Sequence, residues 1–138
     1  MFNIERGDTV IPYRKIITVD FDGCIVTNKF PEIGDAIPAT ISRAKKEQEK
    51  GARLILWTCR RAERLTAAVE WCAAHGLHFE AVNENLPDII TAFGGDTRKI
   101  FANEYWDDRA VVMPPMQPIN SAAKDGTQDA HQNALQYA

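Results

Sequence analysis

Hydrophobic and polar positions along the chain follow two alternating rhythms. Residues 15–21 carry a β-branched run, Ile16-Ile17-Thr18-Val19, that ends in carboxylates and a glycine, which predicts a first strand. Pro31 and Gly34 then mark a turn-rich stretch. A surface helix is predicted over 38–50, with Pro38 at its start and Gly51 just past its end. The cycle repeats with a strand over 53–58, a helix over 62–75 closed by Gly76, and a strand over 78–82. Residues 86–93 suit one short helix, broken by Gly94-Gly95. Residues 100–106 read as a fourth strand ending at Asp107-Asp108, and residues 110–113 allow a short fifth. Strands that are continuously apolar and alternate with helices imply an α/β domain, its central parallel sheet flanked by helices.

The ends read differently. Residues 1–14 form an N-terminal arm, in which Val10-Ile11-Pro12-Tyr13 suits an edge strand or a packed segment. From Pro114 onward Pro, Gln, Ala, Ser and Gly dominate and few apolar side chains remain to pack. Residues 114–138 are therefore expected to be a flexible tail, with no role for its His131. A single domain over 15–113 fits a chain of 138 residues that is 45% hydrophobic and 25% charged, which excludes disorder of the whole.

Charge narrows the partners. With 16 Lys and Arg against 19 Asp and Glu the net charge is −3, so no global positive field draws in nucleic acid or an acidic membrane, and any such contact would be local. The longest apolar runs, such as Leu54-Ile55-Leu56-Trp57, fall far short of the ~20 residues that cross a bilayer. The N-terminus lacks the basic-then-apolar pattern of a signal peptide, so a cytoplasmic protein with no membrane partner is expected. Cys24, Cys59 and Cys72 form no CxxC pair and read as free thiols.

Ligands of open parallel sheets bind at the carboxyl ends of the strands. Those ends read Asp20-Phe21-Asp22-Gly23, Thr58-Cys59-Arg60, Asn83-Glu84-Asn85 and Asp107-Asp108-Arg109. Clustered carboxylates repel one another unless a cation neutralises them, and Mg²⁺, a hard ion that takes oxygen ligands and keeps several waters, is the natural candidate. On an extended strand residues i and i+2 point the same way, so Asp20 and Asp22 would both face this rim, one near a phosphorus and one near its leaving group. Gly23 would let the backbone turn sharply there.

The segments Val19-Asp20-Phe21-Asp22-Gly23, Leu54-Ile55-Leu56-Trp57-Thr58 and Tyr105-Trp106-Asp107-Asp108 resemble, in order, the first, second and fourth signatures of the haloacid dehalogenase superfamily of aspartate-nucleophile phosphatases. The resemblance spans about residues 15–113 and is greatest to small cap-less members that end in a DDRA-like sequence. It implies a single Rossmann-like domain without a cap. Asp20 would attack phosphorus to form an aspartyl-phosphate, and Asp22 would protonate the leaving oxygen and then deprotonate the hydrolytic water. Mg²⁺ would be held by the Asp20 carboxylate, the Asp22 backbone carbonyl and Asp107, with Asp108 a direct or water-mediated ligand. Thr58 would donate its hydroxyl to a phosphoryl oxygen. The acid at the second position of the motif favours a phosphatase over a dehalogenase.

The superfamily also implies a lysine that neutralises the phosphoryl charge. Lys99 lies eight residues before Asp107, and on one continuous strand its backbone would sit over ~25 Å from the site. Either that strand is shorter and the chain doubles back, or Arg60, two residues beyond Thr58, fills the role. Residues 24–36 correspond to the family's turn and flap, where Lys29 and Phe30 are placed to touch a leaving group. A lidless site suits a bulky substrate or cover by a second copy in a homo-oligomer.

The function these features imply is a Mg²⁺-dependent phosphomonoesterase for a small phosphorylated metabolite or nucleotide. A phosphatase of nucleic-acid ends and a non-catalytic phosphoryl-binding protein are the alternatives, the first disfavoured by the acidic charge balance. A receiver module would need its phosphorylated aspartate where this chain has Thr58, and no GxGxxG or Walker sequence is present. Plainer roles are expected elsewhere: Trp57, Trp71 and Trp106 in packing, His75 as a cation at a helix end, and Cys59 as a thiol with no adjacent base.

Overall fold

The computed structural model describes residues 14–115 together with two short strands before them, β1 (Ile4–Arg6) and β2 (Thr9–Ile11). These two pair antiparallel, Ile4 opposite Ile11 and Arg6 opposite Thr9, and form a sheet of their own. The arm is thus a β-ribbon rather than an edge strand of the main sheet. Pro12 and Tyr13, and the tail from residue 116 on, lie outside the described residues.

The main sheet comprises β3 (Ile16–Val19), β4 (Arg53–Leu56), β5 (Ala81–Val82) and β6 (Glu104–Trp106), all parallel and in the order β5-β4-β3-β6. Helices α1 (Pro38–Glu49), α2 (Ala62–Ala74) and α3 (Pro87–Phe93) occupy the crossovers. Pro38 and Pro87 each open a helix, where a missing N–H costs nothing, and Gly94 closes α3 in the left-handed conformation. The result is the single Rossmann-like α/β domain that the alternating pattern implied.

Strand alternation divides the core between the two faces of the sheet. Ile17, Val19, Leu54 and Leu56 pack with Ile41 and Ala44 of α1 and with Ala68 and Cys72 of α2. Ile16, Ile55 and Ala81 turn to the other face, against Leu86, Ile89 and Ile100. Both faces of β3 are therefore buried, which explains its unbroken apolar sequence. Val19 stands opposite Leu56 on one side and Trp106 on the other, so the carboxyl ends of β3, β4 and β6 are level. The chain steps outward from β3 to β4 and β5 and then returns to β6 on the opposite side of β3. That reversal makes the carboxyl ends of β3 and β6 the topological switch point, where the crevice of such a sheet opens.

Three expectations need correction. The fourth strand begins at Glu104 rather than residue 100, because side chains bend the segment before it. Buried Asn85 donates its Nδ2 to Asp96 Oδ1 (2.7 Å) and to the Thr97 carbonyl (3.0 Å), and its Oδ1 accepts the Phe101 N–H (2.8 Å). Asn103 Oδ1 then accepts the Ile16 N–H (2.8 Å), a position where a regular ladder would place a carbonyl. The strand expected over 78–82 is only the pair Ala81–Val82. The fifth strand over 110–113 does not form: the main compact unit ends at Asp108, and residues 110–115 have no regular secondary structure, with Val111 and Met113 exposed. Among the described residues no helix is long and apolar enough to cross a membrane.

Candidate active site

The site is assembled where β3 gives out. The Asp20 N–H donates to the Trp106 carbonyl (2.9 Å), tying the residue after β3 to the end of β6, and the Trp57 N–H donates to the Val19 carbonyl (3.0 Å) from the other side. Asp20 is half-buried, with one carboxylate oxygen accepting the Phe21 N–H (2.8 Å). Asp107 and Asp108 follow β6 at once. Oxygens of Asp20, Asp107 and Asp108 all lie within 4.8 Å of one another.

Convergence at that range has an electrostatic signature. Burial pushes the Asp20 carboxyl up to about 6, the Phe21 N–H works against that, and the charges of Asp107, Asp108 and Asp22 add to the rise. Three oxygen donors that destabilise one another's charge fit a hard divalent cation, which converts the repulsion into ligation. The donor set therefore suits Mg²⁺.

Gly23 is required by the same cluster. Its φ of +87° is left-handed, and a Cβ built there would run into the Asp108 carboxylate. The turn around it is tight: Gly23 N–H donates to Val26 O (2.7 Å) and Ile25 N–H to Phe21 O (2.9 Å), over buried Phe21, Ile25 and Val26. A hairpin flap follows, closed by Thr27 N–H to Asp35 O and by Asp35 N–H to Thr27 Oγ1, both 2.8 Å. The link from β3 to α1 thus holds a turn and a flap and no cap domain. Phe30 and the Lys29–Asp35 ion pair (3.2 Å) are exposed on the flap.

Thr58 sits on the same rim, just past β4. Its N–H donates to Asn83 Oδ1 (2.8 Å), while its hydroxyl oxygen accepts the Arg60 N–H (3.1 Å), an arrangement that aims the hydroxyl proton elsewhere. Asn83, at the end of β5, was expected on the rim but carried no assigned role. Its φ of +54° is left-handed, and an Asn immediately after a strand is the available sign of such a position.

Arg60 takes a different place from the one expected. It is only 3% exposed. Its Nε and Nη2 donate to the two carboxylate oxygens of Asp22, both at 2.8 Å, and further N–H groups reach the carbonyls of Pro31 (3.2 Å) and Glu32 (2.8 Å) in the flap. The guanidinium also lies 5.1 Å from the Phe21 ring and 5.2 Å from the Phe30 ring. Arg60 is therefore committed to Asp22 and the flap. The same finding revises the Asp20-x-Asp22 geometry: β3 stops at Val19 and Phe21 enters the turn, so strand alternation does not extend to Asp22. Asp20 joins Asp107 and Asp108, and Asp22 joins Arg60.

Lys99 is brought back toward the sheet by the shortened β6. Its ammonium lies 5.8 Å from the ring of Tyr105, which packs at 5.8 Å against Trp57 across β3, and the Tyr105 hydroxyl donates to Ile100 O (2.6 Å). The strand before Asp107 is thus the shorter of the two alternatives, with Lys99 set against Tyr105. Trp57 is correspondingly a partly exposed rim residue, whereas Trp71 and Trp106 pack against the core.

The remaining candidates are structural. His75 ends α2, stacked on Trp71 at 3.6 Å. Burial, followed by the charges of Asp20, Asp107 and Asp108, pushes the Cys24 thiol up to about 11, which disfavours a thiolate beside the carboxylates.

Fold and site together define a Rossmann-like α/β protein with a cluster of three carboxylates at its switch point. No protein-family model matches the chain, and no curated protein matches it. Among solved structures it is similar to a conserved protein from Bacteroides thetaiotaomicron, with 39% identity over 86% of this chain and 96% of that one and a TM-score of 0.64. The chain belongs to the same family as that conserved protein.

Proposed function

We propose that the protein is a Mg²⁺-dependent phosphomonoesterase that works through an aspartyl-phosphate on Asp20. The observation that carries this reading is the convergence of the Asp20, Asp107 and Asp108 carboxylates within 4.8 Å at the switch point of the sheet. The order of the three sequence motifs, which resembles that of haloacid dehalogenase superfamily phosphatases, supports it.

A carboxylate oxygen of Asp20 attacks phosphorus, the bond from phosphorus to the leaving oxygen breaks, and Asp22, which first takes a proton from solvent on one of the two oxygens paired with Arg60, delivers it to the departing oxygen. Water then attacks the aspartyl-phosphate and gives its proton to Asp22, the bond from phosphorus to Asp20 breaks, and inorganic phosphate leaves. Thr58 and Lys99 bind phosphoryl oxygens through a hydroxyl and an ammonium. Mg²⁺, held by the carboxylates of Asp20, Asp107 and Asp108 and the backbone carbonyl of Asp22, would supply positive charge against which a dianionic phosphate can approach three acids. Without a cap the substrate enters from solvent, and the proposed substrate is a small phosphorylated metabolite or a nucleotide.

The test is hydrolysis of para-nitrophenyl phosphate by the purified protein, with Mg²⁺ and with chelator, alongside Asp20→Asn. Release that needs Mg²⁺ and is lost in the variant is the expected result. Equal release by wild type and Asp20→Asn, or none from the folded wild type on this ester and on a panel of sugar and nucleotide phosphates, would overturn the reading.

A further inference from the structure

Among the described residues Arg60 is the one cation buried almost completely, and burying a guanidinium is costly unless its donors are satisfied. A phosphate-binding arginine aims its donors at the substrate. Here four of the five donors go to the protein: two to the carboxylate of Asp22 and one each to the carbonyls of Pro31 and Glu32. The rings of Phe21 and Phe30 lie against the same guanidinium, and Arg64 adds a second cation 5.7 Å from Phe30. Two parts of the β3–α1 link, the turn and the tip of the flap, therefore meet on one group from the loop after β4. The flap cannot rise without stripping carbonyls from a buried charge, and Asp22 cannot turn without breaking a two-pronged ion pair.

We propose that Arg60 is a positioning residue that aims the Asp22 carboxylate and couples it to the seating of the flap, so that acid and flap move as one unit beside Asp20. This rests on the phosphatase reading. It assigns to the flap, through Arg60, control over the residue that serves the leaving group.

The test compares kcat on para-nitrophenyl phosphate, whose leaving group needs little protonation, with kcat on glycerol phosphate, whose alkoxide needs it fully. The variants are Arg60→Gln, Arg60→Lys, Asp22→Asn, Phe30→Ala and the double variant Arg60→Gln/Asp22→Asn, with flap amide exchange over residues 27–36 measured for each. In Arg60→Gln the glycerol phosphate rate should fall at least tenfold more than the aryl rate, as in Asp22→Asn. The double variant should lie within about twofold of Asp22→Asn, because the two residues act as a unit. Arg60→Lys should recover part of the loss, and flap exchange should quicken in both Arg60→Gln and Asp22→Asn. Phe30→Ala removes only an exposed ring, so it should fold even if Arg60→Gln does not, and it should shift the same ratio by a smaller factor.

Equal losses on the two esters, or multiplying losses in the double variant, would mean that Arg60 only supports the fold. Hydrogen exchange separates the two kinds of failure. A wild type inactive on both esters overturns the phosphatase reading, whereas unchanged flap exchange in Asp22→Asn overturns the coupling whatever the activity.

Discussion

The Asp108 carboxylate occupies the space that a side chain at Gly23 would need. Turn and acidic cluster are thereby made for each other: the left-handed glycine after the first strand leaves room for a carboxylate contributed by the fourth, 85 residues later in the chain. Gly23→Ala should consequently do two things. The positive φ destabilises the fold by about 1 kcal/mol, and the methyl group displaces Asp108, weakening Mg²⁺ binding several-fold. Urea unfolding and calorimetric titration with Mg²⁺ read the two effects separately. Unaltered Mg²⁺ affinity would show that Asp108 takes no part in holding the ion.

Asp20→Asn should stabilise the metal-free protein at neutral pH. The Asp20 carboxyl is raised in the folded state, from an ordinary 3.8 to about 6, so above pH 6 the folded state carries a charge that the unfolded chain holds more easily. As pH falls from 6 toward 3.8 the folded state takes up its proton first and the penalty fades, and below both values it is gone. The advantage of the amide should therefore be present above pH 6 and absent below pH 4. Allowing for the solvent screening of a half-buried group, it should amount to about 1 kcal/mol, or a few degrees in Tm. Melting curves in chelator at pH 7.5 and pH 4 test this, and an advantage that persists at pH 4 would contradict it.

Mg²⁺ should offset the repulsion within the cluster. An ion that binds only the folded state stabilises by about 2.7 kcal/mol at a hundredfold excess over its Kd, and removing one carboxylate from the cluster should abolish most of the gain. The Tm of the wild type should rise with Mg²⁺ at pH 7.5 and fall back with chelator, while that of Asp107→Asn stays nearly flat. A parallel rise in both proteins would place the ion elsewhere.

Asn85→Ala should damage both stability and turnover. The side chain is almost completely buried and serves Asp96, Thr97 and Phe101 at once, so truncation opens a cavity and removes the partner of the half-buried Phe101 N–H, at a cost of about 1–3 kcal/mol. It also releases the loop that carries Lys99, so KM for a phosphate ester should rise in the variant that still folds. A stability loss with KM unchanged would separate the loop from the phosphate site.

Lys99→Ala tests the cation directly. If the ammonium neutralises phosphoryl charge, kcat/KM should drop by at least tenfold while Tm stays within a degree or two, because the side chain is exposed. A variant with full activity would exclude Lys99 from the site.

How much of this was legible in the sequence depends on the range of the interaction responsible. The β-branched run of β3, the proline-to-glycine span of α1 and the repeat of that cycle are local signals, and they place strands and helices because side-chain period and turn chemistry act over a few residues. The acidic rim follows from them, since parallel strands bring their carboxyl ends to one edge. Local pattern could not show that the fourth strand starts at Glu104. That boundary is drawn by Asn85 and Asn103, whose bonds reach 16 residues to Phe101 and 87 residues to Ile16.

The division of the carboxylates was hidden for the same reason. By itself the sequence determined that acids gather at the strand ends, because hydrophobic periodicity sets where strands stop and which residues follow. Only the tertiary structure decided their partners. Asp20 meets Asp107 and Asp108 because β6 lies beside β3 rather than at the far edge. Asp22 meets Arg60, 38 positions away, because a buried guanidinium must satisfy its donors and the turn after Val19 brings that carboxylate within reach. Periodicity is a property of neighbours along the chain, whereas the choice of a hydrogen-bond partner belongs to the packed interior, where an unpaired polar group is too costly to leave.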